Sequence, residues 1–169
     1  MPPLEVQQEI VAEIEGYQKV IDGARMVVEN YKPVIPIDPS WPLVKLGDVC
    51  EYVRGVTYDK TDQVENEGVI VLRANNIDLA SNSLDLSELR RISSDKTFSE
   101  KQLLRKNDVF ICSASGSKEH VGKVAFIEED LPYYFGGFMA VIRANNSINP
   151  KLLFEYLRTP SFRDYLKTN

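Results

Sequence analysis

Residues 10–31 read IVAEIEGYQKVIDGARMVVENY, and within them Ile10, Ile14, Tyr17, Ile21, Ala24, Val28 and Tyr31 are separated by gaps that alternate four and three. That spacing is the seam of a coiled coil, so the stretch reads as one long helix with a single apolar stripe. Pro2 and Pro3 suit its first turn, where a missing amide proton costs nothing. Pro33 disfavours helical geometry at Lys32 and should end it. About thirty residues at 1.5 Å rise span roughly 45 Å, longer than a small domain is wide. Val6, Val20 and Val27 share one heptad position beside the seam and broaden the stripe. Such a face packs either on its own domain or on another helix.

Outward from the helix, residues 33–42 hold four prolines and read as an extended linker. From residue 43 to 169, short apolar strings alternate with polar turns. The expected class is α+β: a long N-terminal coiled-coil-type helix (1–32), a proline-rich linker (33–42) and a mixed α/β domain. Strands are expected at Gly68–Arg73, Leu89–Ile92, Asp108–Cys112, Lys123–Ile127 and Phe138–Arg143. Ser99 and Gln102 have capping-box spacing and predict a brief helix through Leu104. Asn149 followed by Pro150 predicts a helix to Arg158, and Ser161 can cap a last one.

Composition excludes several classes. Hydrophobic content of 43% with 27% charged residues is that of a globular chain rather than a disordered one. No apolar run approaches the ~18–20 residues that span a bilayer, so no membrane partner is expected. Cys50 and Cys112 both sit in apolar strings and read as buried free thiols of a cytoplasmic protein rather than a disulfide. The net charge of −5 argues against strong nonspecific attraction to nucleic acid. It is unevenly placed: residues 1–40 carry seven acids against three bases, and residues 41–169 carry eighteen against seventeen.

Motif by motif, catalysis finds little support. Gly116 to Gly122-Lys123 resembles a phosphate-binding loop, but five residues separate the glycines where four are needed, and Val124 stands where serine or threonine should. His120 is the only histidine, with no cysteine beside it to complete a metal site. No Gly-x-Ser-x-Gly elbow exists for a serine nucleophile. No metal, cofactor or catalytic residue is expected.

Three polar segments stand out instead, all at strand ends. Arg54, Thr57, Tyr58 and Lys60 form one; Arg73, Asn75 and Asn76 a second; Ser115, Ser117, Lys118 and His120 a third. Arginine can bond guanine bidentately and asparagine can bond adenine, so such loops suit base edges and phosphates. They read equally as plain polar connections, with Asn76 supplying turn geometry. Tyr133 to Phe138 is aromatic and glycine-containing, suited to stacking on a base or to covering a core.

The order of the segments PPLEVQQEIV, WPLVKLGDVCEYVRG, VLRANNI, LLRKNDVFICSASGS, VGKVAFI and AVIRAN followed by LLFEYL resembles the DNA-specificity (S) subunit of type I restriction–modification enzymes. The resemblance implies a non-catalytic subunit in which a target recognition domain reads one half of a split site on double-stranded DNA. It implies that long conserved helices pair antiparallel and dock methyltransferase subunits, with a restriction subunit as further partner. The resemblance also implies that this chain stops before the second conserved helix, with its recognition domain incomplete. The pairing partner of residues 10–31 would then be that helix or a second copy of the chain. An oligomerisation protein acting through its helix alone is the alternative. On the recognition reading, the three polar segments should meet on one face.

Overall fold

The computed structural model describes residues 2–30, 38–117 and 119–168. Tyr31, the first half of the expected linker (33–37) and Lys118 lie outside the described residues. The chain forms two compact units, residues 1–36 and 37–169.

The first unit is helix α1 (Leu4–Asn30). It starts one residue after the proline pair: the Pro3 carbonyl accepts from the Gln7 amide at 3.1 Å, and the Gln7 side chain donates to the Pro2 carbonyl at 2.7 Å. No residue of α1 is buried. Its apolar stripe is bare, with Ile14 61% and Ile21 50% exposed.

The second unit opens with a single helical turn, α2 (Leu46–Val49), which leads into β1 (Cys50–Arg54). There follow β2 (Gln63–Val64), β3 (Val69–Leu72), β4 (Ile77–Asp78), β5 (Ser83–Leu84) and β6 (Arg90–Ile92). Then come β7 (Asp108–Cys112), β8 (Val124–Phe126), β9 (Tyr134–Phe135) and β10 (Met139–Ala144). Helices α3 (Pro150–Leu157) and α4 (Pro160–Thr168) close the unit. The class is α+β, as the alternation of apolar strings implies.

One sheet, ordered β1-β10-β7-β8, is antiparallel throughout. A second, ordered β2-β6-β3-β9, is antiparallel except for the parallel pair β3–β9. Strands β4 and β5 form a hairpin. Side chains alternate across a strand, so a strand in the middle of a layered domain is apolar at every position. Strand β7 shows this: Phe110 and Cys112 enter a core with Leu72, Phe135 and Met139, whereas Val109 and Ile111 enter a second core with Leu153, Phe154 and Leu157 of α3. The first sheet is therefore the middle layer, with the second sheet over one face and α3 over the other.

Several local outcomes differ from expectation. The segment after Ser99 is one 3-10 turn, Glu100–Gln102, although the capping box is present. Leu104 is buried in an extended stretch whose amide and carbonyl bond to Tyr133 and Leu131. Gly68 is not in β3; its φ of +126° is closed to ordinary strand residues. Strand β1 was not expected, because it is an edge strand of mostly polar residues, CEYVR. Ser161 does not cap α4. Thr159 does, its hydroxyl accepting from the Phe162 amide at 3.4 Å, with Pro160 at the first position.

Candidate functional site

Strand directions bring the loops together. β1 and β7 both run antiparallel to β10 and flank it, with Arg54 opposite Ala140 and Cys112 opposite Met139. Their C-terminal ends therefore lie at the edge where β10 begins. β3 runs parallel to β9, with Leu72 opposite Phe135, and three residues lead from β9 into β10. The loops leaving β1, β3 and β7 must converge around the Gly136-Gly137-Phe138 link.

They enclose a cleft of about 440 Å³. Arg54, Thr57 and Tyr58 line it from the first loop, and Arg73 and Asn75 from the second. Ser115 and His120 line it from the third. Lys60 and Ser117 are exposed on the same loops but do not line it. Lys118 lies outside the described residues. Phe138, 65% exposed, forms part of the lining, while Phe135 three residues earlier is fully buried. The aromatic segment thus serves both the core and the cleft.

The floor depends on glycine. Val56 donates to the Phe135 carbonyl at 2.7 Å and Gly55 to that of Met139 at 3.0 Å. A β-carbon on Gly55 would overlap the Gly136 carbonyl, and one on Gly136 would press on the Tyr58 ring at 3.3 Å. Tyr58 is half-buried, and burial pushes its phenol up from the ordinary value, so it stays a neutral hydrogen-bonding group. Arg54 Nε donates to the Gly137 carbonyl at 3.0 Å.

Asn76 is corrected from base reader to structural residue. It is fully buried, and its amide nitrogen donates to the carbonyls of Asp85 at 2.9 Å and Glu88 at 2.8 Å. Its side-chain oxygen accepts from the Arg73 amide at 2.9 Å. Both amide protons are used and the side chain is out of reach of solvent, so no base edge can meet it. Glu88 carries no motif that marks it, yet its carboxylate accepts from Arg73 Nη2 at 2.8 Å and from Asn75 Nδ2 at 3.2 Å. Glu88 lies thirteen residues from Asn75 and fifteen from Arg73 in the chain, so only the fold joins them.

The cleft offers guanidinium, amide, hydroxyl, imidazole and aromatic groups on a rigid sheet edge. Among the described residues, no group of three metal-binding side chains is placed to hold an ion. Burial pushes the Cys112 thiol up, as expected of an inert core cysteine. Among the described residues, no helix is long and apolar enough to cross a membrane.

The family model for the type I restriction modification DNA specificity domain matches residues 39–167. The chain is 26% identical over 132 residues to the type I restriction enzyme StySPI specificity subunit of Salmonella potsdam, covering 76% of this chain and 28% of that one. It is 27% identical over 134 residues to the EcoKI specificity subunit of Escherichia coli K12, with the same coverage of 76% and 28%. The chain thus spans little more than a quarter of the length of these relatives. The HsdS subunit of Thermoanaerobacter tengcongensis has a similar fold, with a TM-score of 0.54 at 21% identity over 100% of this chain and 44% of that one. A chain from a structure of type I R-M complex assembly and conformational transition is similar at a TM-score of 0.52 and 19% identity, over 96% of this chain and 43% of that one. With a family model that covers the whole sheet-bearing unit, the chain belongs to the type I restriction modification DNA specificity domain family.

Proposed function

We propose that the second unit reads one half of a bipartite target on double-stranded DNA through the cleft at the ends of β1, β3 and β7. The observation that carries this reading is the convergence of three polar loops, remote in sequence, on one rigid edge. Loops on a rigid scaffold are where recognition residues are commonly placed. Arg54, Arg73, Asn75, Ser115 and His120 face base edges, with Thr57 and Tyr58 shaping the cleft wall. Lys60 and Ser117, exposed on the same loops, act on phosphates together with Lys118. The module performs no chemistry itself; it directs methyltransferase and restriction subunits to the site.

The bare stripe of α1 supports a second role, as a spacer that pairs with another long helix, from the same subunit or a second copy. A near-neutral second unit gives weak sequence-independent attraction, so assembly with partner subunits would supply much of the affinity. The test is to co-express the full chain with the methyltransferase subunits of its own system and profile binding against duplexes with a randomised core. Enrichment of one short motif supports the reading. Sequence-independent binding, or assembly through α1 without any DNA binding, favours the scaffold reading instead.

A further inference from the structure

A carboxylate beside the cleft is unexpected at a DNA-facing site, because it repels phosphate. Glu88 is nevertheless held there. Its Oε1 lies 2.8 Å from Arg73 Nη2 and its Oε2 lies 3.2 Å from Asn75 Nδ2, so one side chain orients two cleft-lining groups. Arg90 Nη2 stands 4.0 Å from the same Oε1. The backbone of Glu88 is fixed as well. Buried Asn76 bonds the Glu88 carbonyl with its amide nitrogen and the Arg73 amide with its oxygen, so one side chain sets the spacing of both partners. The Glu88 side chain is 66% exposed and that of Arg73 30% exposed. A pair this open to water adds little to stability. Its contribution is geometric.

We propose that Glu88 is a positioning residue for base recognition, holding the Arg73 guanidinium so that its remaining donors meet the N7 and O6 acceptors of one guanine. The inference rests on the reading of the cleft as a DNA site. Arginine is the residue type that bonds those two acceptors together, and the fork must be oriented for both bonds to form. Carboxylate anchoring of one guanidinium nitrogen removes much of the rotational freedom of a long side chain before DNA arrives. It also lowers the positive charge of the cleft, trading general attraction for discrimination.

This makes two effects of opposite sign. In the full chain, Glu88→Ala should relax the preference for one guanine by about tenfold, the equivalent of one bidentate contact. The same change should strengthen binding to a random-sequence duplex at low salt, since a negative charge is gone. Arg73→Ala should relax the same base pair and weaken random-duplex binding. Glu88→Gln keeps an acceptor for Arg73 without the charge; it should raise random-duplex binding and retain most of the preference. The probes are a duplex library with a randomised core and one random-sequence duplex. If Glu88→Ala leaves every base preference intact, or relaxes a position that Arg73→Ala does not, the positioning role is overturned while the DNA reading stands. A wild-type chain with no base preference overturns both.

Discussion

Asp108 and Arg143 face each other across β7 and β10, joined at 2.7 and 2.8 Å by a two-pronged ion pair. Asp108 is 1% exposed at its side chain and Arg143 17%. Asp108 Oδ2 also accepts from the Arg105 amide at 2.9 Å, and Arg143 donates to the carbonyls of Leu103 and Lys101. The carboxylate beside it raises the Arg143 guanidinium above its ordinary value, so the arginine stays charged at any working pH. It ties the end of the middle layer that lies away from the cleft. Replacing Arg143 by Met leaves a buried carboxylate without its cation, and should cost about 3–5 kcal/mol. Urea unfolding of the full chain measures this; a loss below about 1 kcal/mol contradicts the assignment.

Asn76 and Arg73 should separate stability from recognition. Asn76→Ala removes the buried donor to the Asp85 and Glu88 carbonyls and the acceptor of the Arg73 amide, and should destabilise the fold by about 1–3 kcal/mol. Arg73→Ala should leave the unfolding midpoint nearly unchanged, because its ion pair is half open to water. On the proposed reading its effect should fall on DNA binding instead. An unfolding midpoint that falls equally in both variants would refute the division.

Lys60 is exposed on the rim and should act through phosphate alone. Lys60→Ala should weaken binding to all duplexes alike and reduce the slope of log affinity against log salt by about one. A change in base preference with an unaltered slope would place Lys60 at a base instead.

The stripe on α1 should pair with a second helix. Aspartate at both Ile14 and Ile21 puts charge on the middle of the seam and should abolish that association, read by sedimentation of the full chain with the methyltransferase subunits proposed as its partners. Unaltered assembly would mean that the stripe is not the contact.

Acid should loosen the second unit. Hydrogen bonds hold five carboxyls below the usual range: from Ser40 to Asp38, Lys101 to Glu51, Lys96 to Asp62, Ser81 to Asp78 and Ser87 to Asp85. Each favours the charged form more when folded, so the unfolded chain takes up protons first as pH falls. Their stabilisation is complete above about pH 5 and is lost as pH falls through the lowered values, below about pH 4. A denaturation midpoint that is constant from pH 7 to pH 3 would contradict this.

What the amino-acid order determined by itself was local. The four-three spacing from Ile10 onward dictates α1, and the continuous apolar run Val109–Cys112 dictates a strand buried on both faces. Asn149 before Pro150 dictates the start of α3, because a side-chain acceptor and a residue without an amide proton satisfy that end. The polar segments were legible as loops, and their meeting could be expected only through the family resemblance. Strand order was not legible. The cleft exists because β1 and β7 flank β10 while β9 pairs with β3, and pairings between residues up to 94 positions apart leave no periodic mark. The same holds for Asn76 and Glu88. In sequence, an asparagine after an arginine looks like a base reader and a glutamate in a polar turn looks like solvent-facing charge. Only the tertiary structure buries the first and sets the second against Arg73, because burial and partnership depend on what distant chain arrives beside a residue.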